Sequence, residues 1–88
     1  MAAAEKYQAK AKQAFDEQNY KTAIKYFNKI KIGRHNSWIY ADRAIAKMRI
    51  KDYEGAVQDF DRMQAIEKKE VYEKLKKECC DMINQRII

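Results

Sequence analysis

The residues of this 88-residue chain most suited to covalent or acid–base chemistry are one histidine and two cysteines, and their spacing is against it. His35 is the single histidine, and no Ser, Cys or carboxylate set around it repeats a spacing used for proton relay or nucleophile activation. Cys79 and Cys80 are adjacent. Neighbours on a helix point about 100° apart, so at most one of them faces a core and a structural disulfide is not expected. With no His or third Cys at ligand spacing, the pair reads as one buried and one incidental thiol of a reducing compartment, not a metal site. Gly33 and Gly55 are too far apart for a phosphate-cradling loop. The chain is therefore not expected to be an enzyme, and no cofactor is expected. Non-covalent recognition remains. Trp38, at the start of a predicted helix, is a residue type that serves as a binding hot spot or as a lid on what lies beneath it. The net charge of +6 is uneven: residues 1–34 carry eight Lys/Arg against three Asp/Glu, residues 35–67 five against six, residues 68–88 six against four. A basic end steers acidic partners towards itself.

The elements that must position these residues follow from a repeated spacing. Thirty-three residues separate Tyr7 from Tyr40, Ala11 from Ala44, Asn19 from Asp52, Tyr20 from Tyr53, Ala23 from Ala56 and Phe27 from Phe60. Chains built from repeats expose long, shallow surfaces to other proteins. The absence of proline, the presence of only two glycines and the abundance of Ala, Lys, Glu, Gln and Met predict an all-α domain. Apolar periodicity predicts a first helix over 3–17, a second over 20–31, a third from Asn36 or Ser37, a fourth over 53–66 and a fifth over 70–87. Gly33 is expected to end the second helix in a left-handed cap, and Asn36 or Ser37 to cap the third. Short connections at Gln18-Asn19 and Lys51-Asp52 require antiparallel hairpins. Val71, Leu75, Met82, Ile83 and Ile87 are expected to face the fourth helix. Glu67-Lys68-Lys69-Glu70 holds no breaker, so helices four and five could run on as one and exchange between two copies. Met1-Ala2-Ala3-Ala4 leads directly into charged helix, and no apolar run reaches the roughly twenty residues of a membrane span. A cytoplasmic protein without membrane contact is expected.

The residues from Tyr40 to Arg62, YADRAIAKMRIKDYEGAVQDFDR, resemble a tetratricopeptide repeat, with aromatic and small positions in that family's order. Tyr7 to Ile30 is similar to it more loosely. The spacing is one short of the family's usual thirty-four, and the family's closing proline is missing. The resemblance implies two helical hairpins in a right-handed α-solenoid, 3–33 and 36–67, with residues 70–87 as a capping helix. Ala11, Ala44, Ala23 and Ala56 would lie where helices cross closely, Tyr20 and Tyr53 would wedge between hairpins, and Phe27 and Phe60 would fill the core. Most aromatics are thereby assigned to packing, so stacking on nucleic acid is not expected.

The resemblance also implies a function. In this family partners lie in the concave groove lined by the first helix of each hairpin, here Gln8, Lys12, Phe15 and Asp16, then Trp38, Ala41, Asp42, Ile45 and Arg49, with Lys74, Lys76 and Lys77 of the last helix nearby. The second repeat is most similar to those of co-chaperones that clamp a C-terminal carboxylate between Lys and Asn side chains. Those clamp positions hold Gln8, Lys12 and Asp42, and an aspartate facing a terminal carboxylate repels it. The expectation is thus a protein–protein adaptor for a peptide or partner segment, acidic in character, with Lys12 and Arg49 as cationic and Trp38, Phe15 and Ile45 as apolar contacts. The alternative is a self-assembling module, a homodimer using Val71, Ile83, Ile87 and Ile88.

Overall fold

A computed structural model describes residues 3–87. They form five α-helices and no strand: α1 (Ala3–Asp16), α2 (Tyr20–Phe27), α3 (Trp38–Arg49), α4 (Tyr53–Ile66) and α5 (Glu70–Ile87), with a short 3₁₀ turn at Arg34–Asn36. The body is elongated and flat, 48 × 26 × 17 Å. Each helix packs chiefly on the one before and after it in the chain.

Side-chain pairs give the directions. Phe15, late in α1, meets Tyr20 at the start of α2, while Tyr7, early in α1, stacks on Tyr26 late in α2. These two helices are antiparallel. Arg43 of α3 reaches Asp59 of α4 across the second hairpin. Likewise Arg86, late in α5, bonds to Glu54 at the start of α4, and Lys76 to Asp61. The fifth helix folds back along the fourth.

The turns at Gln18 and Lys51 are built alike, because both residues adopt the left-handed conformation, φ 63° and 67°. At the first turn the N–H of Asn19 donates to the carbonyl of Ala14 (2.8 Å) and that of Gln18 to Phe15 (2.9 Å). At the second, Asp52 donates to Lys47 (2.8 Å) and Lys51 to Met48 (3.0 Å). This double bond pattern satisfies the last carbonyls of a helix and reverses the chain. The thirty-three-residue spacing therefore extends to backbone conformation.

Three expectations about helix ends need correcting. α2 stops at Phe27, four residues early. Bonds of the tighter i to i+3 kind follow, Lys29 N–H to Tyr26 and Ile30 N–H to Phe27 (both 3.1 Å), and this winding turns Ile30 into the core. Gly33 is extended, φ −130°, and is no left-handed cap. Nor does Asn36 or Ser37 cap α3 through its side chain: Asn36, almost fully buried, accepts from Gly33 N–H at Oδ1 (2.6 Å) and donates through Nδ2 to the Lys31 carbonyl (3.3 Å). It closes the inter-hairpin loop on itself.

Helices α4 and α5 are separate despite the lack of a breaker. Glu67 is extended, φ −148° and ψ 111°. The buried Gln64 side chain accepts from Lys69 N–H (3.1 Å) and donates to the Glu73 carboxylate. A glutamine does here what a glycine or proline does elsewhere.

Two apolar clusters hold the stack. The first joins Ala11, Ala14, Ala23, Phe27, Ile30 and Ile39; the second joins Ala44, Ala56, Phe60 and Cys79. The matched positions Ala11, Ala44, Ala23, Ala56, Phe27 and Phe60 are all 0 % exposed, as close helix crossings require of small side chains. Cys79 is the buried thiol of its pair. Val71 is 52 % exposed and Met82 38 %, so neither is core as the periodicity suggested. Leu75 packs against the second cluster. The side chain of Ile87 and the whole of Ile88 lie outside the described residues.

Candidate functional site

α3 sits between the two hairpins' second helices, and one edge of it stays uncovered. On this side Ile45, Met48 and Arg49 face Leu75, Glu78, Asp81 and Met82 of α5, with Tyr53 between them, around an open cleft of about 570 Å³. Its positions follow from helix geometry. Residues 45, 48 and 49 of α3, and 75, 78 and 82 of α5, are three or four apart and fall on one face of each helix. Ile45, Met48, Tyr53 and Leu75 are half-buried, with one side on the second core cluster and the other in the cleft. Tyr53 is held by the Arg86 guanidinium, 5.6 Å from its ring centre, which is itself bonded to Glu54 (2.6 Å). Apolar floor and charged rim together suit a protein segment.

A second group of charges lies on α1 and α3. Burial pushes the Asp42 carboxyl above its ordinary value; Lys12 opposes this and Asp16 adds to it. All three therefore share one electrostatic environment, although they come from two helices.

The other expected contacts are placed differently. Ile45 and Arg49 line the cleft, but Phe15 is half-buried, edge-on to Tyr20 (5.5 Å) and packed on the first core cluster. Gln8 is half-buried on α1, and Ala41 is buried. Trp38 is 39 % exposed at the start of α3, outside the cleft, and the residue that seals the hairpin beneath is Ile39, at 0 %. Lys74 points to solvent and pairs with Glu70 on its own helix (3.5 Å), so it adds no cation to the cleft. His35 is exposed in the 3₁₀ turn. Among the described residues no group of three His, Cys, Asp or Glu could hold a metal ion, and no helix is long and apolar enough to cross a membrane.

No family model, curated protein or solved structure matches the chain.

One constellation was not anticipated from sequence. Asp59 has no exposed surface, yet its carboxylate takes both forks of Arg43 (2.7 Å each), Lys47 (3.0 Å) and Arg62 (2.9 Å). Burial alone would raise its pKa; hydrogen bonds from Arg43 and Lys47 outweigh that and hold it below the ordinary value. Arg43 also donates to Asn28 Oδ1 (3.2 Å), tying the end of α2 to α3 and α4. Signals were present. Asp59 lies three residues after Ala56 and four before Met63, on the core face, and Arg43 and Lys47 are one turn apart on the facing helix. The first hairpin fills the same positions otherwise: thirty-three residues earlier stand Lys10 for Arg43 and Tyr26 for Asp59, with Lys10 Nζ 5.6 Å from the centre of the Tyr26 ring. An ion pair in one copy is a cation–π contact in the other.

Proposed function

We propose that this chain is a small tetratricopeptide-like adaptor that holds a segment of a partner protein along the side formed by α1, α3 and α5. The cleft between α3 and α5 carries the reading. It is of a size that takes a few side chains, its floor is Ile45, Met48, Leu75 and Met82, and its rim holds the charged groups Arg49, Glu78 and Asp81. The solenoid arrangement is supported by neighbour-to-neighbour packing and by the two left-handed turns thirty-three residues apart. A carboxylate clamp is disfavoured because Asp42 stands where the clamp needs a donor. Asp42 and Asp16 together would repel an acidic tail more than Lys12 attracts it.

Affinity capture tests the reading when the wild type is compared with two paired variants, Ile45→Glu with Met82→Glu, and Lys12→Glu with Trp38→Ala. Loss of partners in the first pair alone is the expected result. Loss in the second alone moves the segment to the α1 end, and unchanged partners in both sink the proposal.

A further inference from the structure

We infer that the segment held between α3 and α5 carries an apolar side chain next to a lysine or arginine, which pairs with Glu78 and Asp81. This rests on the cleft being the binding site. Most other charges of α5 are already engaged: Glu70 with Lys74, Glu73 with Gln64, Lys76 with Asp61 (2.6 Å) and Arg86 with Glu54 (2.6 Å). Lys77 is exposed, does not line the cleft and lies within 4 Å of no carboxylate among the described residues. Glu78 and Asp81 line the cleft, are exposed, and lie within 4 Å of no cation among the described residues. Three residues apart, they sit side by side on one helix face, so one ammonium or guanidinium group reaches both. Arg49, on the opposite wall, is likewise unpaired and is the one cation lining the cleft. It is placed to hydrogen-bond carbonyl groups of the segment.

The chain's overall charge of +6 does not reverse this preference. Most of its excess lies in residues 1–34, eight Lys/Arg against three Asp/Glu, whereas residues 68–88 carry six against four. Exposed charges farther apart than about 8–10 Å are largely screened at physiological salt. Local carboxylates therefore decide what enters, while net charge sets only how fast partners approach. An acidic segment would bring its own carboxylates against Glu78 and Asp81 and leave both without a partner.

The test uses the full chain and two blocked peptides, Gly-Lys-Leu-Leu-Lys-Gly and its twin with glutamate in place of each lysine, followed through the methyl resonances of Ile45, Met48, Leu75 and Met82. The lysine peptide is expected to shift these methyls and bind about three- to tenfold tighter than its twin, with the ratio shrinking at high salt. Glu78→Lys with Asp81→Lys, two exposed changes that leave the core intact, is expected to reverse the preference. Equal or tighter binding of the glutamate twin at the same methyls overturns the inference and leaves the cleft as the site. Methyls unmoved by either peptide overturn both. Shifts that grow with protein concentration alone make a second copy the occupant, and also overturn it.

Discussion

A carboxylate with no exposed surface, held between Arg43, Lys47 and Arg62, costs much to desolvate and more to strip from its partners. Asp59→Asn leaves two mostly buried cations facing a neutral amide, and we expect a loss of about 3 kcal/mol, the low end of the range for broken buried pairs because Arg43 and Lys47 keep some contact with water. Urea unfolding reads this directly. The same group predicts a pH dependence. Its folded pKa lies below the unfolded one, so the unfolded chain binds the extra proton, and stability is complete above about pH 4 and lost as pH falls through the folded value. The difference in urea midpoint between wild type and Asp59→Asn should therefore narrow from pH 5 towards pH 2; a constant difference refutes the assignment. Thiol chemistry offers a second check at this scale. Burial first, then Cys80 and Glu78, push the Cys79 thiol up to about 11, whereas Cys80 is partly exposed. A disulfide-exchange reagent at pH 8 should titrate one thiol quickly and the other only on unfolding.

Helix ends explain what was legible in sequence and what was not. The hairpins were legible because small and aromatic residues recur on a fixed period, and period is what packing demands of a helix face. Ends depend on single backbone conformations and side-chain bonds, which leave no periodic trace: Gln64 breaks α4 from α5, and Asn36 shapes the loop where Gly33 had been expected to act. The two left-handed residues are neither glycine nor asparagine. A side chain at such a position is strained by about 1–2 kcal/mol, partly offset by the backbone freedom that glycine loses on folding. Gln18→Gly and Lys51→Gly should each raise stability by about 0.5–1 kcal/mol, seen as higher urea midpoints with unchanged slope. The N-caps that follow are unequal. Asp52 accepts from Gly55 N–H (3.1 Å), while Asn19 makes no side-chain cap bond. The reason stands three residues on, since a Cβ on Gly55 would overlap the Asp52 carboxylate, and the matching position in the first copy is Thr22. Asp52→Ala should cost about 1 kcal/mol and Asn19→Ala close to nothing; equal costs would show that cap bonding is not what separates the copies.

At the scale of the whole molecule, the groove was only partly legible. The resemblance pointed to α1, α3 and the lysines of α5, yet which side chains are free is decided by packing: Phe15 is committed to Tyr20, Lys74 to Glu70, and α5 lines the cleft with Leu75, Glu78, Asp81 and Met82 instead of the lysines expected of it. Each hairpin has an apolar cluster of its own, so the stability of the whole depends on the joint between them. Ile39 is a residue of α3 that packs in the first hairpin's cluster, and Arg43 reaches back to Asn28 at the end of α2. Every other member of the first cluster lies in residues 11–30, and every member of the second in 44–79. Ile39→Ala opens a cavity at this joint, which costs about 2–5 kcal/mol if the hairpins unfold together. The geometry makes a stronger prediction, because a stack of near-independent units unfolds as one only while its interfaces outweigh the instability of each unit. In wild type, hydrogen exchange should protect α2 and α4 to a similar level. In Ile39→Ala, protection of α1 and α2 should fall well below that of α4 and α5, which keep Phe60, Tyr72, Cys79 and the Asp59 ion pairs. A uniform fall across all five helices would instead show that the second hairpin and α5 have no stability of their own, and that the chain folds only as a whole.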